Sequence, residues 1–98
     1  MSGDASGGEE RRTLTIVNQR GLHARASAKF VAAVAALPDD AQVHVAKDGI
    51  RAAGGSILGL MMLGAAKGDT VELIVSGPDA PRIADELAAM IDDGFGEN

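Results

Sequence analysis

The chain has no cysteine, no tryptophan and no tyrosine, and only two phenylalanines in 98 residues. Without cysteine there is no disulfide framework, no thiol nucleophile and no thiolate metal site. Without stacking aromatics, and with a formal net charge of −5, the chain lacks the basic, aromatic-lined surface that nucleic acid requires. Its two histidines, His23 and His44, make no metal-binding spacing, so neither a metal nor any other cofactor is expected. No apolar run reaches the ~18 residues of a membrane span, and the N-terminus lacks the apolar stretch of a signal peptide. A soluble cytoplasmic monomer is expected. What remains is a 46% hydrophobic fraction rich in alanine and aliphatics. That suffices for one domain with one modest core and leaves little room for a deep substrate pocket.

Residues 1–12 are small, polar and charged, and are expected to form a disordered tail in which Arg11 and Arg12 are solvated. The domain is expected to span residues 13–93. Thr13 to Val17 alternates as a first strand, with Leu14 and Ile16 inward. Ala24 to Leu37 has helical spacing, with Ala24, Ala28, Val31 and Ala35 on one stripe and Phe30, Val34 and Leu37 on the next. Together they predict the apolar face of a helix lying on a sheet. Gln42 to Lys47 alternates again, with Val43 and Val45 inward and His44 outward. Asp48-Gly49 signals a two-residue hairpin returning through Ile50 to Ala53. Gly54-Gly55 breaks that strand, and Ser56 is a good N-cap for a short helix to about Met62. Thr70 to Ser76 is the last strand, with Val71, Leu73 and Val75 on one face. Asp79 is positioned to cap a last helix through Ile83, Leu87, Met90 and Ile91, with Pro81 tolerated in its first turn. Gly94 ends it, and residues 94–98 are expected to fray. The order βαββαβα predicts an α+β fold, an antiparallel sheet covered on one face by helices.

One stretch carries chemistry. In Arg20-Gly21-Leu22-His23-Ala24-Arg25 a strand gives way to a helix through a glycine turn, which leaves His23 at or beside the helix N-cap. A helix N-terminus has several unsatisfied N–H groups and about half a positive charge. The N–H groups of Ala24, Arg25 and Ala26 and the guanidinium of Arg25 therefore make an anion-binding corner around a nucleophilic imidazole. Such a corner suits a phosphoryl group carried on the histidine itself. Gly-x-His-x-Arg alone is a weak signal, since a histidine at a helix start is commonly a cap or a surface residue. Gly64 to Asp69, with Lys67, lacks the spacing of a nucleotide-binding loop.

With Gly21-Leu22-His23-Ala24-Arg25 and Ser56-Ile57-Leu58-Gly59-Leu60-Met61-Met62-Leu63-Gly64 in this element order, the chain resembles the histidine-containing phosphocarrier HPr family of the bacterial phosphoenolpyruvate-dependent phosphotransferase system. The resemblance covers about Leu14 to Ile91. It implies an open-faced β-sandwich of four strands in the order first, fourth, second, third, covered by three helices. It implies that His23 accepts a phosphoryl group on Nδ1 from phosphorylated enzyme I and passes it to enzyme IIA proteins, with Arg25 stabilising the phosphate. The protein would then be a substrate of two transfers rather than an enzyme, serving sugar uptake or nitrogen-type regulation. It further implies that Ser56 is a regulatory site for HPr kinase/phosphorylase. A short helix cannot bury all its apolar residues, and Leu60 and Leu63 are the better core candidates. Ile57, Leu58, Met61 and Met62 would then form an exposed patch. In the family that surface, with Ala24 and Ala28, docks enzyme I and enzyme IIA. The chain departs from the family pattern at Ala26, where proline is usual, and at Gly55, where lysine often precedes the serine.

Two other readings fit the same corner. One is a small anion-binding interaction module that uses Gly21 to Arg25 without phosphoryl transfer. The other is a hydrolase with His23 as nucleophile; it fares worst, because the sequence places no carboxylate or second base near His23.

Overall fold

The computed structural model describes residues 8–97. The elements are β1 (Glu9–Thr15), α1 (Ala24–Ala35), β2 (Gln42–Lys47), β3 (Ile50–Ala53), α2 (Ile57–Met62), β4 (Thr70–Ser76) and α3 (Ala80–Asp92), followed by a 3₁₀ turn at Gly94–Gly96. The four strands form one antiparallel sheet in the order β1-β4-β2-β3. The hairpin between β2 and β3 turns at Asp48 (φ 52°) and Gly49 (φ 83°). Two consecutive left-handed residues match the twist of the flanking strands.

The core is built from alternate residues of the strands and one stripe of each helix. Val43, Val45, Ala52, Val71, Leu73 and Val75 supply the sheet side; Phe30, Leu60, Ile83, Ala84, Leu87 and Ile91 supply the helices. The opposite face of the sheet carries Arg11, Glu72, Arg51 and His44, with Ile74 buried among them.

Three expectations are corrected. The first strand begins at Glu9, within the stretch read as a disordered tail, of which residues 1–7 lie outside the described residues. Glu9 to Arg12 carry no apolar alternation, so their pairing was illegible locally. They are held by the β4 ladder, from Glu9 opposite Ser76 to Arg12 opposite Leu73. Surface ion pairs of Arg11 with Glu9 and Glu72, and of Arg12 with Glu10 and Asp85, accompany the ladder. The two arginines are therefore not a solvated pair. Glu10 above all, then Asp85, holds the Arg12 guanidinium above its usual pKa through hydrogen bonds.

Second, only part of the expected face of α1 is buried: Phe30 is in the core and Val31, Val34 and Leu37 pack against it, but the alanines of that face do not. Ala24, Ala28 and Ala35 are exposed, and the buried stripe is Ala26, Ser27 and Phe30. Burial of a phenylalanine is worth far more than burial of an alanine, so Phe30 sets the rotation and the alanines follow. Third, the C-terminus does not fray after Gly94. Phe95 is 3% exposed and belongs to the core. Local pattern hides this, because a single apolar residue between two glycines has no periodicity.

Candidate functional site

The site begins with a turn. The carbonyl of Asn18 accepts from the N–H of Gly21 (3.2 Å), and the N–H of Leu22 donates to the carbonyl of Ala65 (3.0 Å). Gly21 has φ +61°, and a Cβ there would stand 2.2 Å from the Ala65 carbonyl oxygen. Only glycine lets the two loops approach this closely. Leu22, 7% exposed, then anchors the turn in the core.

His23 follows as the N-cap of α1, extended at φ −78° and ψ −177°, with no side-chain cap bond. The first helical bond runs from the Ser27 N–H to the His23 carbonyl. The N–H groups of Ala24, Arg25 and Ala26 are thus the orphan donors of the first turn. Ala24 and Arg25 are exposed, but Ala26 is fully buried. Ala24 and Arg25 thus lie on the open side of the first turn and Ala26 in the core, where the sequence reading had all three N–H groups facing an anion. Among the described residues Arg25 forms no ion pair, so its guanidinium remains available to a ligand.

The imidazole is flanked by two acceptors. Nδ1 lies 3.2 Å from the Gly21 carbonyl oxygen. Nε2 lies 3.6 Å from Oε2 of Glu97, in a pair whose side chains are 17% and 15% exposed. A carboxylate therefore does stand beside His23, contrary to the sequence expectation; it comes from the segment read as frayed. Asn18, 1% exposed, joins the two flanks: its Nδ2 donates to the Gly21 carbonyl (2.9 Å) and toward Oε1 of Glu97 (3.4 Å). Asn18 was also missed, although Asn-x-x-Gly is a recognisable turn signature. Glu97 had no sequence signal at all.

The second motif is placed by α2, which packs against α1. Ser56 is its N-cap, and the Oγ accepts from the Gly59 N–H at 2.9 Å. Leu60 and Leu63 are buried, at 0% and 6% exposed. Ile57, Leu58, Met61 and Met62 are 40%, 68%, 40% and 73% exposed. The sequence reading of this helix therefore matches the structure at every apolar position. No three metal-ligating side chains cluster among the described residues, and no described helix is long and apolar enough to cross a membrane.

Against known proteins, residues 10–93 match the family model described as PTS HPr component phosphorylation site. The chain is similar to the phosphocarrier protein HPr of Cupriavidus necator, with 42% identity over 87 residues, covering 89% of this chain and 96% of that one. It is also similar to the phosphocarrier protein NPr of Shewanella violacea, at 38% identity over 88% of this chain and 92% of that protein. Among solved structures it resembles HPr-C-His from Thermoanaerobacter tengcongensis, with a TM-score of 0.83 and 35% identity, covering 91% of this chain and 98% of that one.

Proposed function

Since the chain belongs to the HPr family of phosphotransferase-system phosphocarriers, proteins that carry a phosphoryl group and are not themselves enzymes, we infer that its carrying residue is His23. It accepts the group from phosphorylated enzyme I and yields it to an enzyme IIA protein, in the cytoplasm and as a monomer. The observation that supports this best is the position of the imidazole at the N-cap of α1, beside the exposed donors of Ala24 and Arg25.

A phosphoryl group on the ring brings close to two negative charges and strong acceptor oxygens. The two backbone N–H groups, the positive end of the helix and the unpaired Arg25 guanidinium all favour that charge. A carrier must also release its cargo, and none of these groups encloses it. The exposed apolar surface of Ile57, Leu58, Met61 and Met62, continued by Ala24 and Ala28, is the docking face for both partners. Ser56, on the same helix, is a second phosphorylation position for an HPr kinase/phosphorylase. Likeness to both HPr and NPr proteins leaves sugar uptake and nitrogen-type regulation as two settings for one chemistry.

The test is incubation with phosphoenolpyruvate and enzyme I. The expected result is one acid-labile phosphoryl group on His23, lost on addition of an enzyme IIA protein. Tight phosphate binding with no covalent mass gain would favour the anion-binding module instead.

A further inference from the structure

The C-terminal segment is built across the site. Gly94, Phe95 and Gly96 have φ of 64°, 58° and 73°, three left-handed residues in a row. A phenylalanine keeps such a φ only when its surroundings impose it. Here the Phe95 ring is buried, and Nζ of Lys29, on α1, donates to the Phe95 carbonyl at 2.8 Å. The chain so fixed delivers Glu97 to His23. Oε1 of Glu97 lies within reach of Asn18 Nδ2, whereas Oε2 and the facing Nε2 of His23 are buried without any other partner among the described residues.

We propose that Glu97 is the positioning residue that decides which nitrogen of His23 takes the phosphoryl group, by holding the proton on Nε2. This rests on His23 being the carrier. Two acceptors compete for the single proton of the neutral ring. The Gly21 carbonyl already accepts from Asn18 Nδ2, while Oε2 of Glu97 has no other donor among the described residues. A hydrogen bond to a carboxylate is roughly twice as strong as one to a neutral carbonyl, and the low exposure of the pair strengthens it further. A small side-chain rotation closes the 3.6 Å gap to hydrogen-bond length. The neutral ring is then the Nε2–H tautomer, and the Nδ1 lone pair faces the Gly21 oxygen. That unfavourable contact favours a modest tilt of the ring that frees Nδ1 from the Gly21 oxygen while the Glu97 side chain follows Nε2. In the transfer, the Nδ1 lone pair bonds to phosphorus and the bond from phosphorus to the enzyme I donor atom breaks. Its electron pair stays with the donor, and the Nε2 proton does not move. The phosphorylated ring is a cation, and Glu97 is placed to balance it.

The test reads the tautomer of unphosphorylated His23 from two-bond proton–nitrogen couplings in the ¹⁵N-labelled protein, with His44 as internal control. The wild type should be Nε2–H. Glu97→Ala should raise the ratio of Nδ1–H to Nε2–H about tenfold, and Glu97→Gln, which keeps the shape without the charge, by a smaller factor. Both should accept phosphoryl groups from enzyme I about three- to tenfold more slowly. An unchanged ratio in both variants, or a shifted ratio with unchanged rates, overturns the proposal. Absence of label on wild-type His23 overturns the carrier reading instead, while the tautomer ratio still reports on Glu97.

Discussion

His23→Ala should abolish phosphoryl acceptance and still give a folded domain, because the ring makes no cap bond and the turn is anchored by Gly21 and Leu22. Labelling at the wild-type rate would remove His23 from the chemistry. Arg25 is different in kind, since its proposed contact is with the charge and not with the reacting atom. Arg25→Ala should slow transfer about ten- to a hundredfold, the loss of a charge-assisted bond worth about 1.5–3 kcal/mol. Arg25→Lys should restore only part of the rate, being a point charge in place of a planar fork. Full activity of the alanine variant would place Arg25 outside the site. The placement of both residues at a helix start was legible from Gly-x-His-x-Arg. Asn18 and Glu97 were not, because their roles arise from contacts with Gly21 and His23 that the chain makes only when folded.

At the level of elements, α2 and the C-terminal segment make opposite cases. The six residues of α2 are held by its Ser56 cap and the burial of Leu60. Ser56→Ala should cost ~1 kcal/mol, a fall in Tm of about 4–8 °C, and leave the transfer rate intact. Ser56→Asp should fold normally, because an acidic N-cap is favourable. It should accept phosphoryl groups about tenfold more slowly through weaker binding of enzyme I, since a charge beside the apolar face must be desolvated on docking. Equal affinity of this variant and wild type for enzyme I would reduce Ser56 to a cap. The segment after α3 resembles a loose end in sequence, yet Phe95→Ala should destabilise the domain by about 3 kcal/mol in denaturant unfolding, as truncation of a buried phenylalanine does. A change below about 0.5 kcal/mol would return the segment to a frayed tail.

For the molecule as a whole, the net charge of −5 conceals a division of labour among the cations. Arg11, Arg12, Lys47 and Arg82 are paired with carboxylates, whereas Arg20, Arg25, Arg51 and Lys67 are exposed and have no such partner among the described residues. Arg20 and Arg25 flank the turn at His23, and Lys67 lies in the loop that the turn docks on. Three of these four cations thus lie around the turn at His23, with Arg51 on the far face of the sheet, an arrangement that would steer an acidic partner surface. The second-order rate of acceptance from enzyme I should fall about three- to tenfold between about 0.05 and 0.5 M salt. Global stability should change by less than about 1 kcal/mol over the same range, because the paired surface charges contribute little. A salt-independent rate would remove steering.

The sequence by itself determined the element order, the hairpin at Asp48-Gly49, the position of His23 at a helix start and the split of α2 into buried and exposed faces. Each of these follows from short-range chemistry: alternation, turn-forming glycines, capping side chains and helical spacing. Tertiary structure alone decided three things. Pairing with β4 made a strand of Glu9 to Arg12, whose charged residues have no intrinsic apolar pattern. Packing of α1 against α2, α3 and the 3₁₀ turn left Ala24, Ala28 and Ala35 exposed and buried Ala26 and Ser27 beside Phe30. Burial of Phe95 and its bond from Lys29 brought Glu97, 74 residues along the chain from His23, to the imidazole. No window of sequence contains both residues, and no local preference would bring them together; only the closure of the core does.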